Sequence, residues 1–203
     1  MEIANKKVLV IGLGLSGIST IKTLSSLKAD VYCYDDKEES ELGSVFEKIK
    51  DFKFKFIKNY KEYDFDFIVK SPGIKPINEV IKYFETKKVP IYTDLELAYS
   101  LFPKRKIIAI TGTNGKTTTT SLVGEIFKTA NIKSKVVGNI GIGMLWEIYN
   151  SDEETVNIIE VSSFQLHNTE NFKPTVASIG NITPDHIDWH GSYAVSYTHL
   201  TLP

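Results

Sequence analysis

Residues 107–121 read IIAITGTNGKTTTTS, and this stretch carries most of the argument about the fold. The apolar, β-branched run over residues 106–111 predicts a buried strand, which passes through a loop into a helix. Gly112 and Gly115 free backbone N–H groups to cradle phosphates. Lys116 supplies a point charge for the β- and γ-oxygens, and the Thr117 hydroxyl can ligate Mg²⁺. The strict pattern G-x-x-x-x-G-K-[ST] is not met, because Ile110 occupies its first glycine position. What stands here is the shorter G-x-x-G-K-T. A merely polar loop with a helix cap would have to account for a lone Lys followed by four threonines, which are poor helix formers. The nucleotide-binding reading therefore takes in Gly112, Thr113, Asn114, Gly115, Lys116, Thr117 and Thr118.

On both sides of this loop, short β-branched runs alternate with helical periodicity, the pattern of a parallel α/β sheet. Downstream, a helix should carry Leu122, Val123, Ile126, Phe127 and Ala130 on one face, followed by strands over residues 133–137, 156–161 and 176–179. Upstream, strands are expected over 7–11, 30–34, 53–57, 65–70 and 90–93. A first helix should bury Ile18, Ile21, Leu24 and Leu27, a second spans 78–87, and a linker helix covers 95–101. The expected architecture is α/β. A Rossmann-like nucleotide-sugar-binding domain spans 1–93, a linker 94–104, and an incomplete P-loop-type ATPase domain with a mostly parallel sheet 105–194. Residues 195–203 read as a tail outside that pattern.

Composition agrees with a globular chain. Its 203 residues are 42% hydrophobic and 24% charged, which excludes collagen-like, low-complexity and disordered classes. Twenty-four basic residues against 25 acidic ones give a net charge of −1, with no excess aimed at nucleic acid or anionic lipid. Arg105 is the only arginine, where a reader of bases or phosphates by bidentate forks would carry more. The single Cys33 excludes an internal disulfide and fits a reducing compartment. No apolar run approaches the roughly 18 residues of a membrane helix, so no membrane partner is expected and the chain reads as cytoplasmic.

Gly12, Gly14 and Gly17 form G-x-G-x-x-G between a strand and a helix, where free N–H groups and the helix dipole favour an anion. Asp35, at the end of the second strand, stands where dinucleotide enzymes hold ribose hydroxyls. Any close strand-to-helix turn also needs glycine, so an ordinary turn stays open. Ser71-Pro72-Gly73 follows another strand and forms either a second wall of the same crevice or simply a turn. Glu160 ends the apolar run of Val156, Ile158 and Ile159. An unpaired carboxylate there is costly to desolvate, and beside a phosphate loop Mg²⁺ is its natural partner. A solvated strand end is the alternative. His186 and His190 lie four apart, but no third ligand stands at structural-zinc spacing. His186 is assigned near the γ-phosphate, whereas His190, His167 and His199 are read as ordinary surface or capping residues.

In this order the motifs resemble the Mur ligase family. The resemblance rests on VLVIGLGLSGIS near the start, SPGI at 71–74, ITGTNGKTT at 110–118 and GNIG at 138–141. It continues through EVSSFQL at 160–166 and NITPDHIDWHG at 181–191, and covers about 190 residues. SSFQL behind an N-terminal G-x-G-x-x-G domain points to the D-glutamate-adding branch. The L-alanine-adding branch typically carries His where Asn114 stands. The resemblance implies that ATP phosphorylates the carboxylate of UDP-N-acetylmuramoyl-L-alanine and that the amine of D-glutamate attacks the acyl phosphate. It implies that Lys116 stabilises the transferring phosphoryl group, that Thr117 and Glu160 hold Mg²⁺, and that His186 serves the metal and acyl-phosphate site. Asn139 and Ser162 would face the substrate carboxylate, and Leu15, Ser16, Asp35 and Gly73 the uridine diphosphate.

The family also has a longer central domain, a third domain that binds D-glutamate, and a carbamylated Lys soon after the D-H segment. The last lysine here is Lys173, and AVSYTHLTLP at 194–203 departs from the family. The expectation is of a longer native product, with residues from about Val195 foreign or frame-shifted, and of a chain that binds ligands without completing ligation. Two other classes compete: an NAD(P)-dependent oxidoreductase built on Gly12, Gly14, Gly17 and Asp35, and a P-loop protein that senses nucleotides without chemistry.

Overall fold

The computed structural model describes residues 1–141 and 143–183. Within them two parallel sheets are built by strand–helix alternation. In the first, β1 (Lys7–Ile11) runs beside β2 (Asp30–Tyr34) and β4 (Phe67–Lys70), with short β3 (Lys55–Phe56) and β5 (Ile91–Tyr92) at the edges, in the order β3-β2-β1-β4-β5. Val8 to Ile11 and all of β4 are buried, as apolar runs covered on both faces require. Helix α1 (Leu15–Ser26) packs Ile18, Ile21 and Leu24 inward, and Leu27, the fourth residue expected on that face, is its partly buried C-cap. A short α2 (Gly43–Glu47) follows β2, and Asn78 caps α3 (Glu79–Thr86) by accepting the Val80 N–H at 2.9 Å.

The second sheet runs β7-β8-β6-β9, with β6 (Lys106–Thr111) flanked by β8 (Val156–Glu160) and β9 (Val176–Ile179), and β7 (Ser134–Gly138) outside β8. Helix α5 (Lys116–Thr129) follows the phosphate loop, but its expected apolar face does not point inward. Leu122 and Ile126 are 59% and 57% exposed, and Thr120 and Gly124 are the buried pair. Packing explains the rotation, because a Cβ on Gly124 would collide with Cγ2 of Val136. The smallest residue of the helix is thus where it meets β7 most closely. Val123 and Phe127 flank that contact half-buried.

The first part of the segment read as a linker lies inside the molecule. It is helix α4 (Asp94–Leu101), whose residues 94–98 are all buried. Helix α6 (Met144–Tyr149), which the sequence did not announce, presses on α1. Trp146 N–H donates to Ser19 Oγ at 2.8 Å, and Phe52 meets the Trp146 ring edge-on at 5.3 Å. One hydrophobic cluster consequently runs from Val8, Val10 and Ile21 through Leu95 and Leu97 to Val137, Leu145 and Ile159. The two sheets share a core.

Candidate functional site

The glycine turn after β1 is held from three sides. Gly12 adopts φ +85°, and a Cβ on Gly17 would collide with the Gly12 carbonyl oxygen. Gly12 N–H donates to the Tyr34 carbonyl at 2.9 Å, and Ser71 Oγ donates to the Gly12 carbonyl at 2.8 Å. The second of these bonds brings Ser71-Pro72-Gly73 beside the turn. Asp35 is drawn into the same bracing: its carboxylate accepts Leu13 N–H at 2.8 Å and Lys37 N–H at 3.0 Å.

The phosphate loop sits at the carboxyl end of β6, where parallel sheets place their ligands. Gly112 and Gly115 have φ +141° and +78°, and Gly115 is the N-cap of α5. Lys116 Nζ donates to the carbonyls of Gly112 and Thr113 at 2.7 and 3.0 Å, curled onto its own loop. Thr117 and Thr118 open the helix, exposed to solvent. A residue without an assigned role closes the loop from the far side. The Asn181 carbonyl accepts Thr113 N–H at 2.8 Å, its Oδ1 accepts Asn114 N–H at 2.9 Å, and its Nδ2 donates to the Asn114 carbonyl at 2.8 Å. Asn181 heads the stretch quoted at 181–191, but only the pairing of β9 with β6 brings it onto the loop, so its contact there could not be read locally.

Glu160 ends β8 opposite Ile110 on one side and Gly138 on the other. It is 2% exposed. Oε1 accepts Asn139 Nδ2 at 3.1 Å, while Oε2, like the nearby Thr111 Oγ1 on the adjoining strand, has no hydrogen-bond partner. A buried carboxylate oxygen left unpaired in this way fits a hard cation as the missing partner. Among the described residues no cluster of three or more His, Cys, Asp or Glu could hold a metal by protein groups alone.

Between the sheets lies a cleft of about 590 Å³. Leu15 and Ser16 at the start of α1, Gly73, Asn139 and Ser162 all line it, as do Asp94 and Gln165. Five of the six residues expected on the substrate side thus meet in one place, and Asp35 stands behind the glycine turn instead of in the lining. Ser162 and Gln165 form a capping box at the start of α7 (Ser163–Leu166), a pattern the S-x-x-Q spacing does announce. The T-x-x-E spacing of Thr93 and Glu96 announces the start of α4, where Thr93 Oγ1 accepts Glu96 N–H at 3.3 Å, but nothing in the sequence marks Asp94 or Glu96 for their partners across the fold. His167 is half-buried, and burial lowers its pKa. His186, His190, His199 and the tail from residue 195 lie outside the described residues.

The Mur ligase MurD-like N-terminal domain matches residues 6–93, and the Mur ligase middle domain matches residues 110–197. The chain belongs to the Mur ligase family. Among its Mur ligase relatives, the UDP-N-acetylmuramoylalanine–D-glutamate ligase of Thermoanaerobacter sp. (strain X514) is 47% identical over 95% of this chain and 43% of its own length. The enzyme of the same name from Lachnospira eligens is 41% identical over 94% of this chain and 43% of its own length. The chain therefore spans less than half the length of these curated relatives. Two solved Mur ligases share the fold. One is the UDP-N-acetylmuramate:L-alanyl-γ-D-glutamyl-meso-diaminopimelate ligase from Neisseria meningitides, with TM-score 0.61 and 18% identity over 97% of this chain and 68% of that one. The other is UDP-N-acetylmuramate–alanine ligase from Thermotoga maritima, with TM-score 0.59 and 22% identity over 96% and 46%. No helix among the described residues is long and apolar enough to cross a membrane.

Proposed function

We propose that this chain forms the nucleotide-sugar-binding half and part of the ATP-binding half of a cytoplasmic ligase that joins D-glutamate to UDP-N-acetylmuramoyl-L-alanine in peptidoglycan precursor synthesis. The observation that carries this reading is Glu160. It is a buried carboxylate with one unpaired oxygen, at the end of a strand next to the phosphate-loop strand, and it is bonded through Asn139 to the lining of the cleft.

In this reading residues 112–118 wrap the ATP phosphates, and Lys116 leaves its own loop carbonyls to meet the transferring phosphoryl group. Thr117 and Glu160 would hold Mg²⁺, which when bound supplies charge neutralisation for in-line transfer. Leu15, Ser16 and Gly73 receive the uridine diphosphate at the N-terminus of α1. Asp35 supports that end by bracing the Leu13 amide. Asn139 and Ser162 orient the alanyl carboxylate toward the γ-phosphate, with His186 assigned to the same centre. A carboxylate oxygen takes the γ-phosphoryl group and ADP leaves. The amine of D-glutamate then attacks the acyl carbon, loses a proton, and inorganic phosphate departs. What these residues contribute is alignment: reacting groups held together convert an encounter into an intramolecular step.

Calorimetry on the 203-residue chain tests the reading. Saturable binding of UDP-N-acetylmuramoyl-L-alanine, of Mg²⁺–ATP, and none of NADH is the expected result. NADH binding without the uridine compound would overturn it in favour of a dehydrogenase turn. Glu160→Gln should weaken ATP binding about tenfold in the presence of Mg²⁺. It should leave metal-free ATP binding unchanged, with a melting temperature equal to or above the parent's, because a buried charge is removed. For these 203 residues alone, binding without ligation is expected, and conversion of D-glutamate to product would refute that.

A further inference from the structure

Asp94 opens α4 at the point where the two sheets meet, and it is 3% exposed. Its two oxygens are used by opposite walls of the cleft. Oδ2 accepts Ser16 Oγ at 2.7 Å from α1, and Oδ1 accepts Gln165 Nε2 at 3.3 Å from α7. Gln165, 4% exposed, passes the connection on: its Oε1 accepts Ser162 N–H at 3.0 Å and lies 3.2 Å from Ser162 Oγ. All four residues line the cleft. Two residues further along α4, Glu96 grips the second wall from behind. Its carboxylate accepts the backbone N–H groups of Glu170, Asn171 and Phe172 at 3.0–3.1 Å and Asn171 Nδ2 at 3.0 Å. Helix α4 is therefore docked by Glu96 independently of Asp94, and the Asp94 carboxylate is left to tie one wall to the other.

We propose that Asp94 and Gln165 are positioning residues that set the spacing of the cleft by fixing Ser16 and Ser162 relative to each other across the two units. A carboxylate can only accept, so it dictates that Gln165 turns its NH₂ toward α4 and its oxygen toward the Ser162 amide. The polarity of the whole chain Ser16–Asp94–Gln165–Ser162 follows from that one acid. An apolar residue would fill the same space without linking the walls, and a buried carboxylate is costly unless donors meet it from both sides. The consequence for ligand binding rests on the function proposed above.

The polarity makes the test specific. Gln165→Glu places a second carboxylate against Asp94 Oδ1, replacing a donor by a like charge. Adding Asp94→Asn restores a donor–acceptor pair with the direction reversed. The amide introduced on α4 donates to the carboxylate introduced on α7, and its oxygen still accepts from Ser16. The new carboxylate still accepts from the Ser162 amide. In the 203-residue chain, Gln165→Glu should weaken UDP-N-acetylmuramoyl-L-alanine about tenfold while Mg²⁺–ATP affinity stays within about twofold. The double variant should return to within about threefold of the parent. An unchanged affinity in Gln165→Glu, or losses that simply add in the double variant, would overturn the proposal. If the parent binds no uridine compound, the functional reading fails, and the tie is then judged from melting temperatures. Recovery in the double variant supports it, and additive losses overturn it.

Discussion

Lys70 illustrates how much one buried residue can say about conditions. It ends β4, is 1% exposed, and donates from Nζ to the Ile74 carbonyl at 3.1 Å. Burial pulls its pKa from 10.5 down to about 8, against the opposing pull of the Asp94 and Glu85 carboxylates. The folded chain therefore releases this proton before the unfolded chain does. Between about pH 8 and about pH 10.5 the unfolded state holds more protons, so Lys70's contribution to stability rises with pH across that window and is flat below it. Cys33 and Tyr34, both raised to about 12 by burial first, work in the opposite sense at alkaline pH, so the comparison must be a difference. Denaturant unfolding of the parent and Lys70→Met at successive pH values should give a parent-minus-variant free energy that climbs above pH 8. A flat or falling difference would contradict this placement of the lysine.

At the scale of the element, α5 separates periodicity from packing. Leu122 and Ile126 repeat with helical spacing and face solvent, whereas Thr120 and Gly124 face the sheet. Replacing Leu122 and Ile126 together with Gln should change stability by no more than about 0.5 kcal/mol per site, as for ordinary surface positions. Gly124→Ala, a far smaller change in polarity, should cost about 1–3 kcal/mol because its Cβ has no room beside Val136. Chemical denaturation of both variants decides the matter, and the reverse ranking would mean that the helix sits rotated from the position described. The short α6 makes the complementary point. Six residues cannot sustain a helix in water, so Met144, Leu145 and Ile148 are helical because α1 and the shared core receive them.

At the scale of the whole molecule, the continuous cluster from Val8 to Ile159 predicts that the two sheets unfold together. In a Trp189→Phe background, Trp146 reports on the contact with Phe52. Its fluorescence and the far-UV circular dichroism should then trace one transition with a common midpoint. Two separated midpoints would show that the sheets unfold independently despite the packing of α4 and α6 between them.

Much of this organisation was legible in the chain itself. The strands at residues 7–11, 30–34, 106–111 and 176–179 stand where their β-branched runs predict. The loop at 112–118 stood out as a candidate phosphate cradle because its signal is local: glycines, a lysine and hydroxyls within a few consecutive residues. Glu160 drew notice because an acid at the end of an apolar strand is anomalous wherever it occurs, and the structure finds it buried with one oxygen unpaired. The face that α5 turns inward, the burial of α4, the clasp of Asn181 on the loop, and the joining of Ser16 to Ser162 through Asp94 and Gln165 were not legible. Each joins residues distant in sequence, and its energy depends on close contact or on a hydrogen bond in a space that water has left. Spacing along a chain records periodicity and local chemistry, and only the folded packing decides which groups are brought within bonding distance and which lose their water.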